Sequence, residues 1–397
     1  MTEPAEQAPT MPHSSISARN SGEPLRFKNV EQLAGVTAEA ATAGQQIKVW
    51  TRLALTSDAP LFHKLIENLD RVVQHMAQKA GTVVNLRRAN LALLIVKSDN
   101  TAELWVDTAA VALQCRTKRT VTAGSVIWED DIADVTGMGF PCVRIGEEDK
   151  VLCLFREAWS FGLAFDFNPN GKLDLDWLSS TLGTLYRTLH YRHQYEAVNT
   201  PAIFDPLQAA GWFPFVEIIT SEFRDLARCA EAGIGMAESE KKIVAAFNAA
   251  RIAHLLERWS AKPHFAARIV LLKEAVDAFL AQKPASTIKI ILTEIEGVLN
   301  DAYKAAHDGQ GAKLKKLLAF AQTSAEQRAG GPETLFFPAA FGRYLAERTF
   351  ANFDPVSRAG TAGSRHAVGH GAATQESYTM PRALQAILTL DQLAFYT

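Results

Sequence analysis

Leu91-Ala-Leu-Leu-Ile-Val96, Lys97-Ser-Asp-Asn-Thr101, Ala102-Glu-Leu-Trp-Val106: two short apolar runs flank a polar turn. Asp99 and Asn100 can hydrogen-bond their own backbone, and the flanking runs suit a half- or fully buried strand, so the stretch reads as a β-hairpin. Upstream, Leu61, Phe62, Leu65, Ile66, Leu69, Val72, Val73 and Met76 recur with helical period, predicting one amphipathic helix over 61–77. Downstream, strand-like runs follow at 111–115, 151–155 and 163–167, punctuated by Gly124, Gly137, Gly139, Pro141 and Asn168-Pro-Asn-Gly171. A helix over 173–195, with Leu175, Leu178, Leu182, Leu185 and Leu189 on one face, is expected to close the region. Residues 25–200 thus read as an α+β domain. Residues 1–24 are rich in Pro, Ser, Thr, Ala and Glu and cannot repay their ordering entropy, which predicts a disordered tail.

Thr200-Pro201 and Asp205-Pro206 mark a boundary, because the residue before proline is pushed out of the helical region. Beyond it, helices are expected over 215–232, 238–260, 266–281, 286–306, 312–321, 338–351 and 382–396, with no fixed-period repeat. Residues 205–397 therefore read as an all-α helical bundle.

Composition narrows the function classes. Hydrophobic residues make up 48% and charged residues 21%, as in ordinary globular chains. The net charge is −2, and residues 205–397 hold 21 Lys+Arg against 20 Asp+Glu, so any phosphate binding must be local. Cys115, Cys142, Cys153 and Cys229 lack CxxC spacing, no signal peptide is visible, and no apolar run reaches the ~18 residues of a membrane helix. A cytoplasmic protein is expected. No P-loop, dinucleotide-binding or nucleophile-elbow motif occurs in a strand-to-helix context.

The chemistry-bearing candidate is Ser364-Arg-His-Ala-Val-Gly-His-Gly371. Ser364 can cap a short helix that starts at Arg365 and ends at His370-Gly371. A loop through Tyr378 then leads to a helix whose face is Leu384, Ile387, Leu388, Leu390, Leu393 and Ala394. Metal-free RNA cleavage needs a base for the 2′-hydroxyl, an acid for the leaving oxygen and a cation for the phosphorane. Histidine, with an unperturbed pKa of ~6.5, serves the proton transfers and arginine forks onto phosphate oxygens.

Arg365, four intervening residues and His370 match the RX4H motif, and the segment resembles the HEPN superfamily of helical bundles, many of them metal-independent ribonucleases. His366 fills the polar position after the arginine, and Val368, His370-Gly371, Tyr378 and the terminal leucine-rich helix fill the places of the wider pattern. The resemblance implies His370 as acid/base and Arg365 as phosphate binder, with His366 beside them in the catalytic motif. Five positions at about 100° each put Arg365 and His370 roughly 140° apart on a regular helix, so one copy is an incomplete clamp. The resemblance implies a homodimer that brings two motifs across one cleft.

Other readings compete. His366 and His370 share a helix face and could hold zinc, but no third ligand stands nearby, and neither metal nor cofactor is expected. Glu296 either orients Arg365 or His370 or belongs to a solvated helix face, the commoner case. Tyr378 either contacts a phosphate or packs its ring. Arg116, Lys118 and Arg119 read as a solvated basic run, and Glu129-Asp130-Asp131 as an acidic turn. Trp105, Trp128, Trp159, Phe161, Phe165 and Phe167 read as sheet packing. The function expected is a HEPN-type ribonuclease of a toxin or phage-defence kind with RNA as substrate. Residues 25–200 would serve as a sensor or specificity domain for a protein or nucleotide ligand. The alternative is a non-catalytic bundle that binds a nucleotide or a partner.

Overall fold

In the computed structural model, residues 22–329, 331–352, 361 and 363–397 are described. Most of the expected tail, residues 1–21, lies outside them, as does most of the small-residue stretch before Ser364. The chain divides into two compact units, one formed by residues 1–113 with 137–189 and the other by 114–136 with 190–397. A sheet-containing N-terminal region is thus followed by a long run of helices.

In the first unit, six strands form an antiparallel sheet in the order β1-β4-β3-β7-β8-β2. They are β1 (Leu25–Phe27), β2 (Arg52–Thr56), β3 (Leu91–Val96), β4 (Ala102–Val106), β7 (Lys150–Glu157) and β8 (Ser160–Asp166). The hairpin of the opening stretch is β3 and β4, in register from Ala92 opposite Val106 to Val96 opposite Ala102. Its turn forms as the side chains dictate: Asp99 Oδ1 accepts from the Thr101 backbone N–H at 2.9 Å, and Asn100 adopts φ +62°.

The unbroken apolar run of β3 follows from burial on both faces, since successive residues point to opposite sides of a sheet. Ala92, Leu94 and Val96 join Phe62, Leu65, Leu69 and Val73 of α1 (Pro60–Lys79) in one core. Leu91, Leu93 and Ile95 join Leu178, Leu182 and Leu185 of α2 (Leu175–His190) in the other. The helix expected over 173–195 is interrupted after His190 and resumes as α3 (Arg192–Asn199). Trp105, Phe165 and Phe167 are buried in these cores, whereas Trp128 and Trp159 are exposed and do not serve as packing.

Strands β5 (Ala112–Thr117) and β6 (Ile132–Gly139) form a separate two-stranded ribbon, and its segment 114–136 belongs to the second unit. The other helices there are α4 (Pro201–Ala210), α5 (Ser221–Glu231), α6 (Ala237–Ala246), α7 (Ala249–Ser260), α8 (Pro263–Ala266) and α9 (Ile269–Leu280). They continue with α10 (Pro284–Ala306), α11 (Leu314–Ala329), α12 (Pro338–Tyr344), α13 (Arg365–Gly369) and α14 (Met380–Tyr396). The single helix expected over 238–260 is two, because Asn248 caps α7 by accepting from the backbone N–H groups of Ala250 and Arg251 at 3.0 and 3.1 Å.

Helix α14 packs along α10 at the centre of this unit. On α10, Ile288, Ile291, Leu292, Ile295, Val298 and Leu299 are buried at helical spacing. The terminal helix was expected to be amphipathic, with one apolar face; it is buried on all sides, polar residues included. Its polar groups are satisfied internally, as buried ones must be. Gln392 Oε1 accepts from the Val216 backbone N–H at 2.9 Å, and Gln385 Nε2 donates to the Ala210 carbonyl at 3.1 Å.

Candidate functional site

Helix α13 forms where the sequence places it. Ser364 Oγ accepts from the Ala367 backbone N–H at 3.3 Å and donates to the Ala351 carbonyl at 2.7 Å, capping α13 and tying its start to Ala351. Gly371, at φ +66°, occupies the left-handed region that ends such a turn without a Cβ penalty. Ala367 and Val368 are buried, and α13 packs against α10.

That packing brings Arg365 to Glu296. Arg365 Nη2 lies 2.7 Å from Glu296 Oε2, and both side chains are about one-third exposed. Glu296 is therefore not part of a bare solvated face: it pairs with Arg365. The Arg365 Nε is buried with no hydrogen-bond partner among the described residues.

Tyr378 stands against the same helix, with Lys289 Nζ 5.8 Å from its ring centroid. Lys289 and Glu296 are seven residues apart, about two turns, so they share one face of α10. Burial pushes the Tyr378 hydroxyl above the ordinary tyrosine range.

His366 is half-buried in the first turn of α13, and His370 is exposed at its C-terminal cap. Thus Arg365 meets Glu296, Tyr378 stands by Lys289 two turns away on α10, and His370 leaves its helix one residue after the end. Among the described residues, no group of three or more His, Cys, Asp or Glu side chains is arranged to hold a metal ion.

A second charged constellation in the same unit was not foreseen. Arg258 on α7 places Nη1 2.6 Å from Asp391 Oδ2 and Nη2 2.5 Å from Glu217 Oε1, and its Nη2 donates to the Lys118 carbonyl at 2.8 Å. Trp259 Nε1 donates to Asp391 Oδ1 at 2.8 Å. Arg251 grips Glu222 with two bonds of 2.7 and 2.8 Å, and Arg119 grips Asp131 with two of 2.5 and 2.7 Å. Burial opposes ionisation of Glu217, but Arg258, Lys118 and Arg251 outweigh it and hold the carboxyl below the usual range. Asp391 is fully buried, shares Arg258 with Glu217 and is pushed up to about 7.

The two runs read as a basic surface and an acidic turn are thus internal only in part, since Arg116, Glu129 and Asp130 are exposed. Lys118 and Asp131 are buried, and Arg119 pairs with Asp131. The available signal was the opposite charge of the two runs at the two ends of the connection between β5 and β6, since the pairing of those strands brings its ends together.

No family model, no curated protein and no solved structure matches this chain.

Proposed function

We propose that the helical unit is a HEPN-like bundle and that the chain is a metal-independent endoribonuclease of a toxin or phage-defence kind, acting in the cytoplasm as a homodimer. The observation that carries this reading is the Arg365–Glu296 pair. A guanidinium held 2.7 Å from a carboxylate, yet about one-third exposed, is oriented and still open to a phosphate, and an exposed histidine follows five residues later. In this scheme His370 moves the proton between the 2′-hydroxyl and the leaving 5′-oxygen. Arg365 neutralises the phosphorane, Glu296 positions Arg365, and Tyr378 donates to a phosphate oxygen from the same helix face. His366 lies beside Arg365 in the motif.

One copy of the motif presents a single arginine and a single terminal histidine, so the reading requires a second copy facing the first. Purified protein incubated with RNA in EDTA is expected to cleave it, and His370→Ala is expected not to. Equal cleavage by the two proteins, or none by either, sinks the proposal. A monomer by light scattering at micromolar concentration contradicts the composite cleft.

A second reading draws on the same pair: Glu296 cancels the charge of Arg365, which favours a bundle that binds RNA, a nucleotide or a partner without chemistry. RNA bound but left intact would select it.

A further inference from the structure

Beside the buried network, and lined by none of the residues just discussed for RNA cleavage, lies a cleft of about 540 Å³ with markedly one-sided charge. Six of its lining residues are Lys or Arg, against one carboxylate, Glu257, which already accepts from the Thr120 hydroxyl at 2.7 Å. Arg119 and Arg258 are committed to Asp131, Glu217 and Asp391. The other four, Arg116, Lys118, Lys262 and Arg328, make no ion pair with a carboxylate among the described residues. Arg116 donates to the Arg328 carbonyl, which joins two of them at one edge, and Lys262 Nζ donates to the main-chain oxygen of Thr397 at 3.1 Å.

Lys118 is the anomaly. It is only 7% exposed, lines both this cleft and the adjoining cavity of about 360 Å³, and its ammonium makes no hydrogen bond to any described residue. Burial and the Arg251 and Arg258 guanidiniums disfavour its charge, while the Glu217 and Asp130 carboxylates favour it. Folds keep such groups where a ligand completes them. The charges that bear on Lys262 after burial are Arg328, Arg116 and Arg258, all positive, and together they lower its proton affinity. Arg116, Lys262 and Arg328 pair with no acidic side chain among the described residues, so an entering anion offsets their mutual repulsion.

We propose that this cleft binds a small ligand carrying two or more phosphate groups, such as a nucleoside polyphosphate, with Lys118, Arg116, Lys262 and Arg328 as its phosphate ligands. The volume lies within the range of small-molecule sites, roughly 300–1,000 Å³, and four cations within one cleft match an oligophosphate better than a single carboxylate. The half-buried Phe395 ring, already under the Arg258 guanidinium at 4.7 Å, supplies an apolar wall.

The probes are pyrophosphate, ATP and a short single-stranded RNA, titrated calorimetrically at physiological salt into the full chain. Pyrophosphate or ATP is expected to bind. Lys118→Met, and separately Lys262→Ala with Arg328→Ala, are expected to weaken that binding by about tenfold or more, the scale of one or two charge-assisted hydrogen bonds. Lys118→Met also removes a buried charge that helps to hold Glu217 ionised. Should that variant fail to fold, the Lys262/Arg328 variant decides alone. Arg365→Ala and His370→Ala are expected to leave binding unchanged, so this site stands or falls separately from the ribonuclease reading. Absence of binding by both small phosphates, binding that survives the substitutions, or loss of RNA binding alone would each overturn the proposal.

Discussion

Arg365 Nη2 and Glu296 Oε2 meet at 2.7 Å, joining the first residue of α13 to the middle of α10. Because both groups are about one-third exposed, the pair contributes little to stability, on the order of 1 kcal/mol or less. Its proposed consequence is orientation. Glu296→Gln is expected to leave the thermal midpoint nearly unchanged while lowering single-turnover RNA cleavage about 10- to 100-fold, as loss of a supporting carboxylate does elsewhere. Undiminished cleavage by the variant would reduce the pair to a surface ion pair.

Ser364 fixes where α13 begins. Ser364→Ala removes the cap and the bond to the Ala351 carbonyl, with an expected cost of about 1 kcal/mol. Ser364→Thr should recover most of it. Urea unfolding measures both, and cleavage should fall with the alanine variant because Arg365 follows the cap directly. An alanine variant as stable as the parent contradicts this role.

Arg258 is a different kind of arginine. It is nearly buried and serves Glu217, Asp391 and the Lys118 carbonyl at once. Arg258→Ala strands two buried carboxylates and is expected to cost about 3–5 kcal/mol, far more than Arg365→Ala. Denaturant midpoints of the two variants settle the ranking, and equal small losses would contradict it.

What was legible in the sequence was what local chemistry determines. The Leu91–Val106 hairpin was readable because its turn residues bond their own backbone and its strands are apolar throughout. The α13 cap was readable because serine before a short periodic run has one dominant use. The breaks at His190 and Asn248 were not, since apolar spacing continues across them and only the asparagine hints at a cap. The burial of Lys118 and the depth of Asp391 were hidden for a related reason. Each is settled by partners far along the chain, and a charged run by itself looks solvated. Of the proposed site, Arg365, His370 and Tyr378 stood out by motif, whereas the commitment of Glu296 to Arg365 depended on how α13 packs on α10.

Two buried titrations should pull stability in opposite directions. Burial, with Glu217 adding to it, raises Asp391 from 3.8 to about 7, so its contribution is full below about pH 4 and is lost as pH rises through 7. Burial, then Arg224 and Arg228, lowers His193 from 6.5 to about 4, so its contribution is full above about pH 6.5 and is lost as pH falls towards 4. Between pH 4 and 6.5 the two oppose each other. Asp391→Asn should therefore leave a thermal midpoint that climbs with pH in this window, and His193→Gln one that falls. Parallel profiles for both variants would contradict the assignment.

The most direct test of the central claim is product analysis of RNA incubated with the purified chain in EDTA. Attack by a 2′-hydroxyl deprotonated at His370 leaves 2′,3′-cyclic phosphate ends. The account predicts such ends from the parent protein and intact RNA with His370→Ala or Arg365→Ala. Cleavage that persists in both variants, or RNA left intact by the parent protein, would contradict it.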